Sequence, residues 1–263
     1  KAGGRIKVFF GPHSMYLCGP EYLRETTEEA LKRKTKIHIH LSESRQEVAD
    51  SFEKYGKSPV QHLADLGLFE CPTAAAHCVH LSAEDIELLR KHKVSVLNNP
   101  TSNLKLANGF APVEELLKKG VNVALGTDGS ASNNNVNLFE EMHLAALVNK
   151  AINDNTESVP AQQVLRMATI NGAKALGLEK EIGSLEVGKR ADLILLDANK
   201  PHYYPRHNPV SSIAYSAQAA DVSTVLVNGK VLMENYEVKT IDADESMREG
   251  ERMAFDLVRR ASQ

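Results

Sequence analysis

Lys36-Ile-His-Ile-His-Leu-Ser-Glu43 is the stretch on which the prediction of the fold depends. Apolar residues at positions 37, 39 and 41 alternate with His38 and His40, and this period of two is typical of a β-strand. The two histidines therefore lie on one face of the strand. Imidazole is a common zinc ligand, and Glu43 follows closely enough to exchange protons with a bound molecule. Taken alone, the stretch is equally compatible with core packing.

The composition indicates a globular chain. It has 263 residues, 42% of them hydrophobic, enough for one large α/β domain or two smaller ones. The net charge of −3 is scattered, so no basic patch indicates a nucleic-acid partner. No apolar run reaches the roughly 18 residues of a membrane span, so no membrane partner is expected. Three cysteines without a Cys-x-x-Cys pair favour a reducing, cytoplasmic location.

Strands and helices alternate over the first two thirds of the chain. The pattern predicts five strands, each followed by a loop and a helix: Ile6–Phe10, Lys36–Leu41, Thr73–Val79, Val94–Leu97 and Val121–Leu125. Such alternation favours a parallel sheet covered by helices, either an open doubly wound sheet or a (β/α)₈ barrel. Asn98–Leu106 is predicted to be a polar loop, and Pro160–Gly172 a single helix.

Polar residues decide between these two architectures. At or just beyond the carboxyl ends of four predicted strands lie His13, His40, Glu43, His77 and Asp128. A barrel brings such positions to one point, whereas an open sheet spreads them along an edge, so convergence favours the barrel. Five strands cannot close an eight-stranded ring. Three more are expected from an N-terminal segment outside this chain, from another chain, or from an unusual architecture.

The pattern changes after about residue 176. The strands predicted at Val222–Val227 and Lys230–Met233 flank Asn228-Gly229, the dipeptide best suited to a type I′ hairpin turn. This predicts a small antiparallel β unit. A final amphipathic helix is predicted near Glu245–Arg260, and its apolar stripe, which includes Met253, Leu257 and Val258, is expected to pack against the protein.

Several motifs together resemble the amidohydrolase superfamily. In chain order they are Gly11-Pro-His13, His40-Leu-Ser-Glu43, Ala76-His-Cys-Val-His-Leu81, Asn99-Pro-Thr-Ser-Asn-Leu-Lys-Leu106 and Gly126-Thr-Asp-Gly129. More narrowly they are similar to the branch of chlorohydrolases and deaminases that includes the methylthioadenosine/S-adenosylhomocysteine deaminases. The resemblance implies three parts: residues 1–176 as the C-terminal portion of a TIM-type (β/α)₈ catalytic barrel, 177–240 as a β-sandwich segment, and 241–263 as a C-terminal helix.

The resemblance also implies one divalent metal ion, zinc first, with iron or manganese as alternatives. In the family a His-x-His of the first strand, a histidine of the fifth and an aspartate of the eighth hold the metal. His40 and Asp128 match the last two ligands, and no residue here matches the first-strand pair. His38 and His40 are rejected as that pair because Gly-Pro-His lies upstream and the spacing to Glu43 belongs to the fifth strand. His38 is then expected inside the barrel. A catalytic zinc ion needs three protein ligands, so an N-terminal barrel segment is the expected partner of this chain.

The function implied by the resemblance is hydrolytic deamination of an aminated purine nucleoside, a small heterocyclic substrate. Water activated by the metal adds to the ring carbon that bears the amine, and ammonia leaves. Asp128 takes the proton of the water, Glu43 protonates the ring nitrogen, and His77 polarises or orients the attacked group. His13 hydrogen-bonds the heterocycle, and Glu43 and Asp128 also contact the substrate.

Alternatives to this interpretation are a chlorohydrolase or a guanine or cytosine deaminase of the same superfamily, or a scaffold without metal or catalysis. A homo-oligomer is compatible with the family resemblance. Taken alone, His77 is more readily explained as a core histidine, and Asp128 could be a turn residue. Ser102 and Asn103 either line the substrate pocket or structure their loop.

Overall fold

The computed structural model describes Gly3 and residues 5–262. Its first sheet has four parallel strands in the order β1 (Ile37–Leu41), β2 (Thr73–His77), β3 (Ser95–Asn98) and β4 (Asn122–Leu125). Ile39 lies opposite Ala75, and Val96 pairs with Ala75 on one side and Val123 on the other. Since spatial order follows chain order and all strands run the same way, their carboxyl ends share one edge. The predicted parallel sheet is confirmed.

The predicted first strand, Ile6–Phe10, is wrong except at its last residue. Phe10 forms a single parallel bridge with Ile37, and its N–H donates to the Lys36 carbonyl. The side chains of Ile6 and Val8 are 55% and 73% exposed. An alternating apolar pattern forms a strand only where neighbouring strands accept its side chains, and the side chains of Ile6 and Val8 are not buried in this way among the described residues.

Twelve α-helices are present in the described part of the chain. They are α1 (Pro20–Lys32), α2 (Arg45–Tyr55), α3 (Pro59–Asp65), α4 (Ala83–Lys91), α5 (Pro100–Lys105), α6 (Val113–Lys118), α7 (Ser130–Asn133), α8 (Leu138–Ile152), α9 (Ala161–Ala168), α10 (Ile170–Leu176), α11 (Pro209–Tyr215) and α12 (Ala243–Ala261). Helix α4 begins with the predicted capping box, in which Ser82 and Asp85 each accept the other's backbone N–H. No helix among the described residues is long and apolar enough to cross a membrane.

Two helix predictions need correction. The segment Asn98–Leu106, predicted as a loop, contains the short helix α5, because Pro100 suits a first helical turn and tertiary contacts stabilise the rest. The helix predicted over Pro160–Gly172 is divided into α9 and α10 at Thr169, whose φ of −127° and ψ of −97° are not helical.

The core lies between the first sheet and its helices. Ile37, Ile39 and Leu41 of β1 are fully buried there, together with residues such as Leu89 of α4 and Leu116 of α6. Each buried side chain of this size stabilises the fold by about 1.5–3 kcal/mol relative to an exposed one. The alternation that buries these residues turns His38 and His40 to the opposite face of the sheet.

A second sheet is antiparallel, with strands β5 (Leu193–Leu196), β6 (Val222–Val227), β7 (Lys230–Glu234) and β8 (Glu237–Val238) in that order. Asn228 and Gly229 have φ angles of 51° and 76°, as a type I′ turn requires, so the predicted hairpin is confirmed. The packing predicted for the apolar stripe of α12 is wrong in this chain, since Met253 and Leu257 are 59% and 60% exposed.

Candidate metal-dependent active site

Three potential metal ligands meet at the carboxyl edge of the parallel sheet. His40 lies in β1, His77 ends β2, and Asp128 follows β4 by three residues. One ligand atom from each of these side chains lies within 4.8 Å of the other two. Two imidazole nitrogens and one carboxylate oxygen are a donor set that catalytic zinc sites use, so these residues fit a divalent metal ion. The sequence analysis assigned His40 and Asp128 as ligands and His77 a catalytic role, and the structure brings all three together.

A backbone carbonyl orients His40. Its Nδ1 lies 2.7 Å from the carbonyl oxygen of His13, which also accepts the backbone N–H of His40 at 3.0 Å. A carbonyl oxygen only accepts, so Nδ1 carries a proton, and in the neutral ring Nε2 is the nitrogen with the lone pair. Hydrogen bonds of this kind fix the tautomer and direction of metal-binding histidines. His40 is thus oriented to offer Nε2 as a ligand.

Asn103 orients His77 in the same way. The imidazole is only 1% exposed, and its Nδ1 donates to Asn103 Oδ1 at 2.9 Å. Its other nitrogen, Nε2, lies 3.7 Å from Glu43 Oε2. The rings of His40 and His77 are stacked with centroids 5.5 Å apart. Nε2 of His77 therefore faces Glu43 and the site, and in the neutral ring it is the nitrogen that can bind a metal or accept a hydrogen bond.

Asp128 is held as a carboxylate by two serines. Ser102 and Ser132 donate to its Oδ2 at 2.7 and 2.6 Å, and Oδ1 remains for other partners. Burial raises the pKa of Asp128, but hydrogen bonds from Ser132, Ser102 and the backbone N–H of Gly129 outweigh it, and the net pKa is lowered. The side chain is therefore ionised at neutral pH, which suits both a metal ligand and a proton acceptor.

Glu43 reaches the site from the turn after β1. Its Oε1 accepts from Asn108 Nδ2 at 2.9 Å, and its Oε2 is the atom nearest to His77. The turn is fixed by the buried carboxylate of Glu47, which accepts the backbone N–H groups of Ser42 and Glu43 at 2.9 and 2.7 Å. Burial raises the pKa of Glu47, and these two hydrogen bonds oppose that effect.

The backbone at this edge uses left-handed conformations that side chains other than glycine adopt rarely. Ser42, His77, Cys78 and Asp128 have φ angles of 49°, 70°, 50° and 60°. Such residues cost free energy, on the order of 1 kcal/mol or more each, and persist where surrounding contacts fix them. Their concentration at or within three residues of the carboxyl ends of β1, β2 and β4 marks this edge as a functional region.

His13, the remaining predicted site residue, and His38, which the sequence analysis rejected as a ligand, both lie near His40. The exposed ring of His13 lies 4.5 Å from that of His40, and its Nδ1 is 3.0 Å from Ser14 Oγ. This places His13 at the open side of the site. His38 is exposed on the same face of β1 as His40, with ring centroids 6.3 Å apart, and the structure does not bring it among the ligand atoms.

Sequence reasoning missed the residues that support the site. Ser102 and Asn103 lie within a quoted motif, but the motif alone did not separate pocket lining from loop structure. Asn108 and Ser132 carried no sequence signal. Their roles become visible only when the fold brings them to Glu43 and Asp128.

The family is decided by a comparison of the sequence with known proteins. A profile described as "Amidohydrolase family" matches residues 1–232. The chain belongs to the amidohydrolase family. The family prediction made from the motifs is therefore confirmed.

Relatives of this amidohydrolase include deaminases. A 5-methylthioadenosine/S-adenosylhomocysteine deaminase of Thermoanaerobacter pseudethanolicus is 59% identical over 260 residues, 99% of this chain and 60% of the relative. A 5'-deoxyadenosine deaminase of Methanosarcina acetivorans is 50% identical over 261 residues, again 99% of this chain and 60% of the relative. The chain thus spans about 60% of the length of the curated relatives it matches.

A solved structure is similar as well. The crystal structure of an adenosine deaminase from Xanthomonas campestris, with bound zinc, matches with a TM-score of 0.94 and 36% identity. The match covers 98% of this chain and 58% of that one. The neighbour supports the amidohydrolase fold, and it binds the metal that the donor set of His40, His77 and Asp128 fits.

Proposed function

We propose that the protein containing this chain is a metal-dependent hydrolytic deaminase of an aminated purine nucleoside. The observation that carries the proposal is the convergence of His40, His77 and Asp128 at one sheet edge, with the Glu43 carboxylate 3.7 Å from His77. Ligands without a proton donor would make only a binding site. A carboxylate beside them adds the acid or base that hydrolysis of a C–N bond needs.

Names of the relatives narrow the substrate class. Methylthioadenosine, S-adenosylhomocysteine, 5'-deoxyadenosine and adenosine share the adenine base and ribose and differ at the 5' position. We therefore propose an adenosine-type nucleoside with a variable 5' group, in preference to a chlorinated ring or a guanine or cytosine base.

The metal proposed here is zinc. When bound by His40, His77 and Asp128, or by two of them with further ligands, a divalent ion supplies a Lewis acid that lowers the pKa of water to about 7. The ionised Asp128 accepts the proton that the attacking water loses. Glu43 donates a proton to the neighbouring ring nitrogen, and His77 orients the attacked position. Asp128 passes the proton it took from the water to the amine, the C–N bond breaks and ammonia leaves. The added hydroxyl gives its own proton to Glu43, which restores the acid, and the ring carbon becomes a carbonyl.

We also propose that the four-stranded sheet is the C-terminal portion of a (β/α)₈ barrel and that the antiparallel sheet belongs to a β-sandwich. The parallel topology and the common carboxyl edge support a barrel. In this arrangement the remaining strands, and a further His-x-His ligand pair, come from outside this chain. A cytoplasmic location, with which the free cysteines Cys18, Cys71 and Cys78 agree, and a homo-oligomer remain predictions.

The test uses the complete gene product, loaded with zinc. It is incubated separately with methylthioadenosine, S-adenosylhomocysteine, 5'-deoxyadenosine, adenosine, guanine and cytosine, and ammonia is measured. The proposal expects ammonia from the adenosine-type nucleosides and a much lower rate with free guanine or cytosine. Absence of ammonia from every adenosine-type nucleoside, at one zinc ion per protein, would contradict it.

A further inference from the structure

One short stretch of chain contacts three different residues of the site. We call residues 99–109 the α5 segment, because they include helix α5. Within it, Ser102 donates to Asp128 and the amide oxygen of Asn103 accepts from His77. The side chain of Asn108, just beyond the helix, donates to Glu43 at 2.9 Å. The first two contacts orient candidate ligands, and the third reaches the proposed proton donor.

The contact with Asn108 gives the two oxygens of Glu43 different surroundings. Oε1 accepts the amide of Asn108, while Oε2 lies 3.7 Å from Nε2 of His77. A glutamate side chain has three rotatable bonds, and without a partner its carboxylate samples several directions. A hydrogen bond to one oxygen selects the rotamer in which the other oxygen faces the site.

Asn108 is itself held firmly. Its backbone N–H donates to the carbonyl of Asn103 at 2.9 Å, and its carbonyl lies 2.8 Å from Nε2 of His80. The next residue, Gly109, has a φ of 113°, and a Cβ there would lie 3.4 Å from Val79 Cγ1. A residue other than glycine at position 109 would therefore strain the backbone that follows Asn108. These contacts tie residue 108 to the turn after β2, so its amide is a fixed donor.

The α5 segment is also fixed at its other end. Thr101 donates its backbone N–H to the buried carboxylate of Glu141 at 3.0 Å. The side-chain oxygen of Asn99 packs so closely against Gly126 that a Cβ on that residue would clash with it. With both ends held, the distance between Asn103 and Asn108, and hence between the groups they orient, is set by the backbone.

We infer that Asn108 is a positioning residue that directs the Glu43 carboxylate so that Oε2 faces His77 and the reacting ring. This inference rests on the proposed function, since it concerns how Glu43 delivers its proton. Asn108 does not itself contact the ligand atoms of His40, His77 or Asp128 in this arrangement; it acts through Glu43.

A purely structural role for Asn108 makes a different prediction. If its hydrogen bond only stabilised the loop, its loss would lower stability and would act on the reaction independently of Glu43. A positioning role requires that the decrease in kcat caused by Asn108→Ala depend on the presence of the Glu43 carboxylate. Residues that act as a unit show strongly non-additive effects on kcat, whereas independent residues show effects that multiply.

The experiment is a double-mutant cycle in the complete, zinc-loaded gene product with methylthioadenosine as substrate. We expect Asn108→Ala to lower kcat by about 10–100-fold with KM changed less than about threefold. Glu43→Gln is expected to lower kcat by about 10²–10⁴-fold, and adding Asn108→Ala to it should cost less than about twofold more. Asn108→Ser, which keeps a donor on a shorter side chain, is expected to recover part of the loss.

Asn155→Ala is the matched control. The Asn155 side chain also donates to a glutamate, Glu114, at 3.5 Å, and lies in the loop after α8, outside the site. Its kcat should equal that of the natural protein within about twofold. Equal losses from Asn108→Ala with and without Glu43→Gln would overturn the inference, as would an unchanged kcat of the single variant.

A crystal structure of Asn108→Ala separates this inference from the proposed function. The inference expects Glu43 Oε2 to turn away from His77 while the backbone of the α5 segment stays in place. An unchanged Glu43 carboxylate would contradict the inference even if no nucleoside were deaminated. If the carboxylate turns and the natural protein releases no ammonia, the positioning role stands and the proposed function fails.

Discussion

Glu141 offers the sharpest test of how the α5 segment is held in place. This glutamate in α8 is fully buried, and its carboxylate accepts the backbone N–H of Thr101 at 3.0 Å and the amide of Asn133 at 2.6 Å. The Asn133 oxygen accepts the backbone N–H of Val136 at 2.7 Å. Rotating the amide to exchange its oxygen and nitrogen would therefore break this hydrogen bond. Burial raises the pKa of Glu141, and the Thr101 hydrogen bond opposes this.

The size of the effect follows from the number of donors left without a partner. Glu141→Ala leaves two buried donors unpaired, at about 1–3 kcal/mol each, and relief of the buried charge offsets part of this. We expect a loss of about 2–4 kcal/mol in the free energy of unfolding. Glu141→Gln can satisfy only one of the two donors, so it is expected to lose about half as much.

Guanidinium unfolding, followed by far-UV circular dichroism, measures the difference. Glu140→Ala is the matched control, because Glu140 is the preceding residue of α8 and its hydrogen bond from Asn135 is exposed. The control should lose less than about 0.5 kcal/mol. If Glu141→Ala lost no more than the control, the carboxylate would not be holding the α5 segment, and the reasoning would be refuted.

Two further predictions concern metal binding and acid stability. His40→Ala should reduce the bound zinc, measured by elemental analysis, at least tenfold. His38→Ala changes a residue on the same face of β1 and should leave the zinc content unchanged. Equal zinc contents in the two variants would contradict the assignment of His40 as a ligand. Burial raises the pKa of Asp221, but hydrogen bonds from Lys200 and His202 outweigh it, so the folded pKa lies below the unfolded value of about 3.9. Its contribution to stability is therefore present above pH 4 and lost as the pH falls below it. Asp221→Asn should flatten this acid limb of a thermal unfolding series, and an unchanged limb would show that Asp221 does not cause it.

The sequence could predict the parallel sheet because the signals for it are local. The alternation at 37–41 and the capping residues of α4 depend on near neighbours in the chain, and both appear in the structure. The order of His40, His77 and Asp128 at strand ends was also enough to predict that they meet, since parallel strands place their carboxyl ends at one edge.

What the sequence did not reveal depends on contacts between distant residues. Helix α5 is only six residues long and polar, so its stability comes from contacts such as Thr101 with Glu141, forty positions away. The hydrogen bond from Asn108 to Glu43 joins residues 65 positions apart, and no periodic pattern in the sequence predicts it. Other predictions failed because a local pattern was present without the contacts it suggested. The apolar patterns at Ile6–Phe10 and in α12 predicted packing that the described residues do not provide.

Ammonia release from methylthioadenosine, before and after removal of metal, tests the central claim most directly. The complete gene product is measured as purified, after exhaustive chelation, and after addition of zinc, with Asp128→Asn alongside. We expect release to stop on chelation and to return with zinc, and the variant to remain at least about 100-fold slower at saturating zinc. Ammonia release that survives chelation and is unchanged in Asp128→Asn would contradict the account.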